Sequence, residues 1–401
     1  MTSTQQSLRL GLPVWMNHTR GRTQRYVSLS GNHETNVAIV GGGMTGALVA
    51  HAFASAGIAT TVVEADLVGR GSSRIWNFSN SRSATVASAR RIWRASHESV
   101  QQLIGLLRRL KIDCALSKRD AVYYGAKSDA TERLCQEFKL RCQAGFEADW
   151  LSAGALRRLT GLSGRGAIRT RGCAQFDPYR ACVGVLRAAV TEGAHVFERS
   201  AVTRIHGEHD RVRLRTAEGT VDARRVVIAT GYATPRFRPL AGRFRMYRTY
   251  VMATRPMQNA ERREVGLGDV MVWDTERPYH YARWTPEHRL LLGGGDRLIG
   301  PGQRRRRQFD TAIRELRDHF ETRLPGLATV ETEFGWEGLF AMTPDSLPYV
   351  GPHRRYPSHW FALGYGGNGM TFGFLAARLL LERWQGIQSQ DHALFAFDRL
   401  R

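Results

Sequence analysis

Apolar and polar positions follow two different periods along this 401-residue chain. Between residues 37 and 65 the order is an apolar run, "VAIV" (Val37–Val40), a glycine cluster, a longer apolar segment, "ALVAHAFASAG" (Ala47–Gly57), and a second run, "TTVVEA" (Thr60–Ala65). Short apolar runs bounded by glycine suit buried parallel strands, and the longer segment stopped by Gly57 suits a helix; together they predict a β-α-β unit. Val100, Leu103, Ile104 and Leu107 share one face of a helix over 92–110. Residues 114–126 read as two short strands and 131–143 as a further helix. After residue 201 the period drops to two. "RVRLRT" (Arg211–Thr216) alternates strictly, "AEG" turns, and "RVVIATG" (Arg225–Gly231) is a buried strand ending in glycine. The stretch 246–300 is again strand-like, with "MVWD", "YHYARW" and "RLLLGGGD". Helices near 305–320 and 372–385 complete the order, and no internal repeat stands out.

This order predicts an α/β fold with a second, α+β domain built on a mainly antiparallel sheet. A chain of this length exceeds the size at which one core stops growing. The expected nucleotide-binding domain is discontinuous, from 37–113, 170–245 and 335–401. Residues 114–169 and 246–334 supply the second domain, and 1–36 form an N-terminal extension.

Composition changes the picture little. At 42 % hydrophobic and 23 % charged residues the chain has ordinary globular character. No apolar run reaches the roughly 18 residues of a membrane span. The N-terminus has no continuous apolar stretch of the signal-peptide kind, so a cytoplasmic location is the expectation. Five cysteines, at 114, 135, 142, 173 and 182, form no CxxC pair, and an odd number argues against a disulfide framework. The net charge is +22. Nucleic-acid binding is one account of it, with "RRRR" at Arg304–Arg307 as local support. The other is compositional: 54 arginines (58 − 4) against 4 lysines, scattered singly and without interleaved aromatics, which leaves nucleic acid a disfavoured partner.

The candidate chemistry begins at Gly41-x-Gly43-x-x-Gly46. Following a strand and opening a helix, Gly41 permits a tight turn, Gly43 admits a pyrophosphate to the backbone, and Gly46 lets helix and strand pack closely. The backbone of Met44 and Thr45 then lies at a helix N-terminus, which favours phosphate. Glu64, followed by Ala65, ends the second strand. Its distance from the last glycine is near the spacing of about 20 residues at which an acid takes the ribose hydroxyls. An acid there disfavours NADP. A second glycine cluster, "GYGGNG" (364–369), directly precedes an apolar helix. No metal site is visible: the histidines are scattered, and His206-x-x-His209 falls in an expected hairpin turn.

"VAIVGGGMTGALVAHAFASAGIATTVVEAD", "VVIATGYA", "WEGLFAMTPDSLPYVG" (336–351) and "FALGYGGNGMTFG" (361–373) together resemble the D-amino-acid oxidase/glycine oxidase family of FAD-dependent oxidoreductases. The resemblance spans about 37–395, in order. It implies a Rossmann-type FAD-binding domain, FAD as cofactor, and oxidation of the C–N bond of an amine or amino acid by hydride transfer to flavin N5, leaving an imine that hydrolyses. It places the first glycine cluster at the pyrophosphate and the second, with Gly366, Gly367, Asn368, Gly369, Met370 and Thr371, beside the flavin. It further assigns Val202 to the adenine, Ala229, Thr230 and Gly231 to the strand end beside the dinucleotide, Ser72 and Ser73 to the start of the flavin loop, and Gly338 to the cofactor contacts. The electron acceptor, oxygen or a quinone, is left open.

Two departures accompany the resemblance. "RIWNFSNSRSATVASAR" (74–90) replaces the short small-residue segment that family members lay against the flavin; it is either a divergent lid or a sign of weakened catalysis. Phe340 occupies the position where amino-acid oxidases commonly carry a carboxylate-binding arginine, and "TPDSLPYVG" is more similar to amine-oxidising members. Arg283 could supply a guanidinium instead, or be one surface arginine among many. Tyr279 and Tyr281 share its strand face by period-two alternation, as an aromatic pocket wall or as packing under the sheet. The alternatives are a tRNA-modifying flavin oxidase and a degenerate flavoprotein.

Overall fold

A strand of ten residues, Gly31–Val40, lies at the centre of a parallel sheet. The computed structural model describes residues 10–17, 25–70, 86–207, 210–232, 237–300 and 305–400. The chain divides into two compact units. One, the parallel-sheet unit, comprises residues 19–114, 176–246 and 340–401; the other, the antiparallel unit, comprises 1–18, 115–175 and 247–339.

In the parallel-sheet unit the strands run in the order Tyr349–His353, Tyr356–Leu363, Gly219–Gly231, Gly31–Val40, Thr60–Val63 and His195–Phe197. All neighbours are parallel except the edge strand Tyr349–His353. Val37, Ala38 and Ile39 are wholly buried, as a strand covered on both faces requires. The central strand starts earlier than its apolar run predicts. Its polar half pairs Gly31–Thr35 with Gly219–Ala223, so backbone hydrogen bonds hold a segment that "GNHET" gives little apolar surface to bury. Those partners come from the second half of the chain, beyond the reach of local periodicity.

Helices Met44–Ala54, Pro178–Thr191 and Gly369–Trp384 pack together beside this sheet. The middle one went unread in the sequence, although it carries a start signal: Asp177 accepts hydrogen bonds from the N–H groups of Tyr179 and Arg180, and Pro178 opens the first turn. The C-terminal helix begins at Gly369, earlier than the apolar periodicity indicates. The meander of Arg204–Gly207, Val212–Arg215 and Gly219–Gly231 follows the alternating pattern.

The antiparallel unit holds an eight-stranded sheet in the order Thr332–Met342, Arg245–Thr254, Leu290–Leu298, His280–Trp284, Met271–Asp274, Ala121–Tyr124, Gly166–Thr170 and Ala148–Ser152. Met271–Asp274 and Ala121–Tyr124 are its parallel pair. Met252, Ala282, Trp284, Leu290 and Leu292 line one face and pack on Leu316 and Phe320 of the helix Arg305–Arg323. Among the described residues, no helix is long and apolar enough to cross a membrane.

A buried ion pair fastens the C-terminal segment of the parallel-sheet unit. Arg399 donates Nε to Asp345 Oδ2 at 2.8 Å and Nη2 to Oδ1 at 2.9 Å, and further bonds the carbonyls of Leu347 and Pro348. Its guanidinium lies 4.1 Å from the Tyr349 ring centroid. Burial alone would raise the Asp345 carboxyl, but the Arg399 hydrogen bonds and charge hold it below its usual value. A depressed carboxyl stabilises the fold above its unfolded pKa of about 3.9 and loses that contribution as pH falls through the native value. Arg399→Leu leaves Asp345 buried without its cation and is expected to cost about 3–5 kcal/mol in urea unfolding at pH 7. The deficit should shrink below pH ~4.

Candidate functional site

The glycine turn sits at the C-terminal end of the central strand, where the strand order switches from one side of that strand to the other. In open α/β sheets this crevice is where ligands bind. Each glycine has its own physical reason. Gly41 has φ +111°, and a methyl group there would lie 2.7 Å from the Ala229 carbonyl oxygen. A methyl at Gly46 would lie 1.9 Å from the Gly41 carbonyl oxygen. Gly43 differs: nothing lies within 4 Å of where its Cβ would be. Packing does not demand glycine at 43, so the open space beside it is the feature that suits a pyrophosphate.

Gly43 is the N-cap of Met44–Ala54 and no side chain caps that helix. Its first N–H groups and positive dipole end are therefore presented to an anion. Glu64 accepts the Gly42 N–H at 2.7 Å through Oε2 and the Asp66 N–H at 2.9 Å through Oε1. Burial raises its carboxyl, and these N–H bonds oppose the rise. A carboxylate has about four lone-pair sites, so acceptor capacity remains for a ribose hydroxyl. Ala65 beside it is exposed.

The second glycine cluster meets the first through one strand end. Gly231, with φ +79°, accepts the Gly364 N–H at 3.0 Å through its carbonyl, while Ala229, two residues earlier, lies against Gly41. Thr230 turns its hydroxyl onto the Tyr232 carbonyl at 2.8 Å. Gly364 has φ +79°, and a side chain there would run into Phe244 and Thr343; Gly366 has φ +54° and donates its N–H to the Ala341 carbonyl at 2.9 Å. Asn368 is the N-cap of Gly369–Trp384, again with no side-chain cap hydrogen bond. Gly367 lies in the loop before it, and Met370 and Thr371 are buried in its first turn. The two helices are in contact: a methyl at Gly373 would come 3.1 Å from Thr45 Oγ1. Two glycine clusters from opposite ends of the sequence thus present two uncapped helix starts at the ends of the two strands that flank Gly219–Gly231.

Val202 is half-buried beside the core of the parallel sheet. Ser72 and Ser73 lie outside the described residues, as do 74–85 of the divergent loop, Arg304 and His209. Gly338 belongs to the strand Thr332–Met342, and Tyr281 and Arg283 to His280–Trp284, all in the antiparallel unit. Tyr281 and Arg283 do share a face, opposite Ala282 and Trp284. Tyr281 lies over Gly293 and against the small cluster of Ala121, Cys173, Met271 and Trp273. Arg283 donates to Gln175 Oε1 at 3.2 Å and stacks 5.0 Å from the Trp15 ring centroid.

Sequence reasoning missed two groups. Cys182 points its sulfur at the Gly42 carbonyl, 3.7 Å away, beneath the glycine turn. Asp296, in "LGGGD", has its carboxyl pushed up to about 6 by burial, against contacts from Thr249, His280 and Tyr279. Neither carries a motif, and both depend on packing between distant segments.

A parallel sheet with a glycine-lined, uncapped helix start at its switch point defines a dinucleotide-binding protein, and the second glycine-rich helix start extends the site beyond a simple mononucleotide cradle. The sequence model of the DAO family, described as FAD dependent oxidoreductase, matches residues 36–383, and the chain belongs to that family. It is 28 % identical over 368 residues to the γ-glutamylputrescine oxidoreductase of Escherichia coli, covering 88 % of this chain and 84 % of that one. It is 27 % identical over 388 residues to the glycine oxidase of Bacillus licheniformis, covering 90 % and 95 %. The crystal structure of glycine oxidase from Geobacillus kaustophilus superposes with a TM-score of 0.76 at 22 % identity, over 92 % of this chain and all of that one. The protein is an FAD-dependent oxidoreductase, and the open space at Gly43, the two uncapped helices and Glu64 fit that cofactor.

The two glycines separate binding from folding. Gly43→Ala is expected to leave the apoprotein melting temperature unchanged while weakening FAD binding by at least about tenfold, from occlusion of a close phosphate contact. Gly46→Ala, driven into the Gly41 carbonyl, should lower the melting temperature of the apoprotein itself. Thermal unfolding with and without FAD distinguishes the two.

Proposed function

We propose that the protein oxidises the C–N bond of an amine or amino acid. The observation that carries this reading is the meeting of two uncapped helix starts at the Ala229–Gly231 strand end, a two-point grip suited to one long cofactor. When bound, FAD would supply two-electron acceptance, the chemistry by which a substrate amine is oxidised to an imine that water hydrolyses. The chain supplies orientation and electrostatics. Met44 to Gly46 would hold the pyrophosphate and Glu64 the ribose. The helix beginning at Gly369 would present its positive end to a flavin held at the second glycine cluster and favour negative charge there by roughly 0.3–2 kcal/mol.

Amine-type substrates are favoured by Phe340, which is buried and offers no cation where amino-acid oxidases carry an arginine, and by similarity to the γ-glutamylputrescine oxidoreductase. Arg283 is the substrate-side cation in this reading, held in place by Gln175 and Trp15, with Tyr281 as an apolar wall.

The purified protein should show a flavin spectrum, release FAD on denaturation, and bleach anaerobically with at least one member of an amine and amino-acid panel. A protein that binds FAD, photoreduces readily and yet bleaches with none of them would overturn the proposal. Arg283→Met is expected to lower kcat/KM about 10–100-fold for carboxylate-bearing substrates, the loss of one charged hydrogen bond, and to spare neutral-tailed amines.

A further inference from the structure

Four side chains in the antiparallel unit converge where no motif announces them. Asp274 ends the strand Met271–Asp274, Glu276 lies in the turn that follows, and His280 opens the next strand. His319 comes from the helix Arg305–Arg323. One nitrogen or oxygen from each lies within 4.8 Å of all the others. Asp274 is fully buried, and His280, His319 and Glu276 are only 13 %, 11 % and 18 % exposed.

Each carboxylate is fixed by one oxygen and offers the other. Asp274 Oδ1 accepts the N–H groups of Glu276 and His280 at 3.0 and 3.1 Å. Its Oδ2 faces His280 Nδ1 at 3.1 Å and His319 Nε2 at 3.5 Å. Glu276 Oε1 takes Arg323 Nη2 at 2.8 Å, leaving Oε2 at 3.8 Å from His280 Nδ1 and 3.9 Å from His319 Nδ1. Outer partners of this kind orient metal ligands. His319 Nε2, 3.5 Å from Asp274 Oδ2, is the most loosely held member of the set.

We propose that Asp274, Glu276, His280 and His319 form a structural site for a divalent cation of the zinc type. Tetrahedral ligands at about 2.0–2.2 Å from zinc stand about 3.3–3.5 Å apart; one atom from each of the four residues already lies within 4.8 Å of the others, with His280 Nδ1 and Asp274 Oδ2 at 3.1 Å, so loading draws the set inward by side-chain adjustment. Two imidazoles with two carboxylates select a borderline transition ion over magnesium or calcium, which take all-oxygen shells. The two carboxylates and Arg323 sum to −1, so a dication is not repelled. The imidazoles are stacked, with centroids 3.5 Å apart and planes at 25°, so loading must splay the rings to aim both nitrogens at the ion. The bound ion would staple the 275–279 turn to the helix behind it and steady the strand that carries Tyr281 and Arg283.

The FAD-loaded, full-length protein is stripped with chelator, titrated with zinc chloride against a chromophoric competitor, and analysed for metal content. One zinc per chain is expected. His319→Gln and Glu276→Gln should each weaken binding by at least about tenfold, the lower end of what disturbing such a shell costs. His206→Gln, on an exposed strand outside the cluster, should not. Zinc-edge X-ray absorption should report two imidazole ligands, a readout that survives if a variant fails to fold. Absence of zinc from folded wild-type protein at micromolar metal, equal loss in His206→Gln, or fewer than two imidazoles would overturn the site and leave a hydrogen-bonded histidine–carboxylate cluster.

Discussion

The contact between the Gly41 carbonyl and Gly46 sets the geometry on which the rest of the parallel-sheet unit depends. With a hypothetical Cβ at only 1.9 Å, helix Met44–Ala54 can leave the central strand at this angle only if residue 46 has no side chain. That close departure brings the helix start up to the strand end. It also leaves Ala229 against Gly41, which fixes where Gly231 can receive Gly364. One steric exclusion therefore propagates across three strands, and the second glycine cluster is positioned by the first.

The electrostatic consequence is that an anionic ligand meets backbone rather than side chains. Neither helix start has a side-chain cap, so the N–H groups that caps would satisfy remain for ligand oxygens. Backbone donors are carried by the sheet and cannot swing away, unlike arginines on long stems. On the reading proposed above, a chain so rich in arginine leaves its phosphate chemistry to glycines. Many arginines within each unit are occupied elsewhere, as Arg399 is with Asp345 and Arg305 with the wholly buried Glu337.

How far the sequence was legible follows from the range of the forces involved. The β-α-β unit over 37–65 could be read because its strands, glycines and helix are consecutive, and the α/β class follows from it. The polar half of the central strand could not be read, since its hydrogen-bond partners are at 219–223. The helix Pro178–Thr191 was passed over despite its Asp–Pro start and a buried face of Ala181, Cys182, Val185, Leu186 and Ala189 at helical spacing. Arg283 and Tyr281 fell on one strand face by alternation, but the Gln175 and Trp15 contacts come from remote segments. The histidine–carboxylate cluster was invisible for the same reason: His280 sits on a strand and His319 on a later helix, and the two stack only once that helix has docked.

The strand order carries a consequence for biosynthesis. On the side away from the central strand, Gly219–Gly231 is paired with Tyr356–Leu363, which a ribosome makes long after the first glycine turn. At ~5–20 residues per second, tens of seconds separate translation of Gly46 from that of Gly364. Until then the strand that bridges the two glycine clusters has one edge uncovered. A nascent chain can form its first turn early, but the second glycine cluster cannot join it at the Ala229–Gly231 strand end until residues 364–369 have been made.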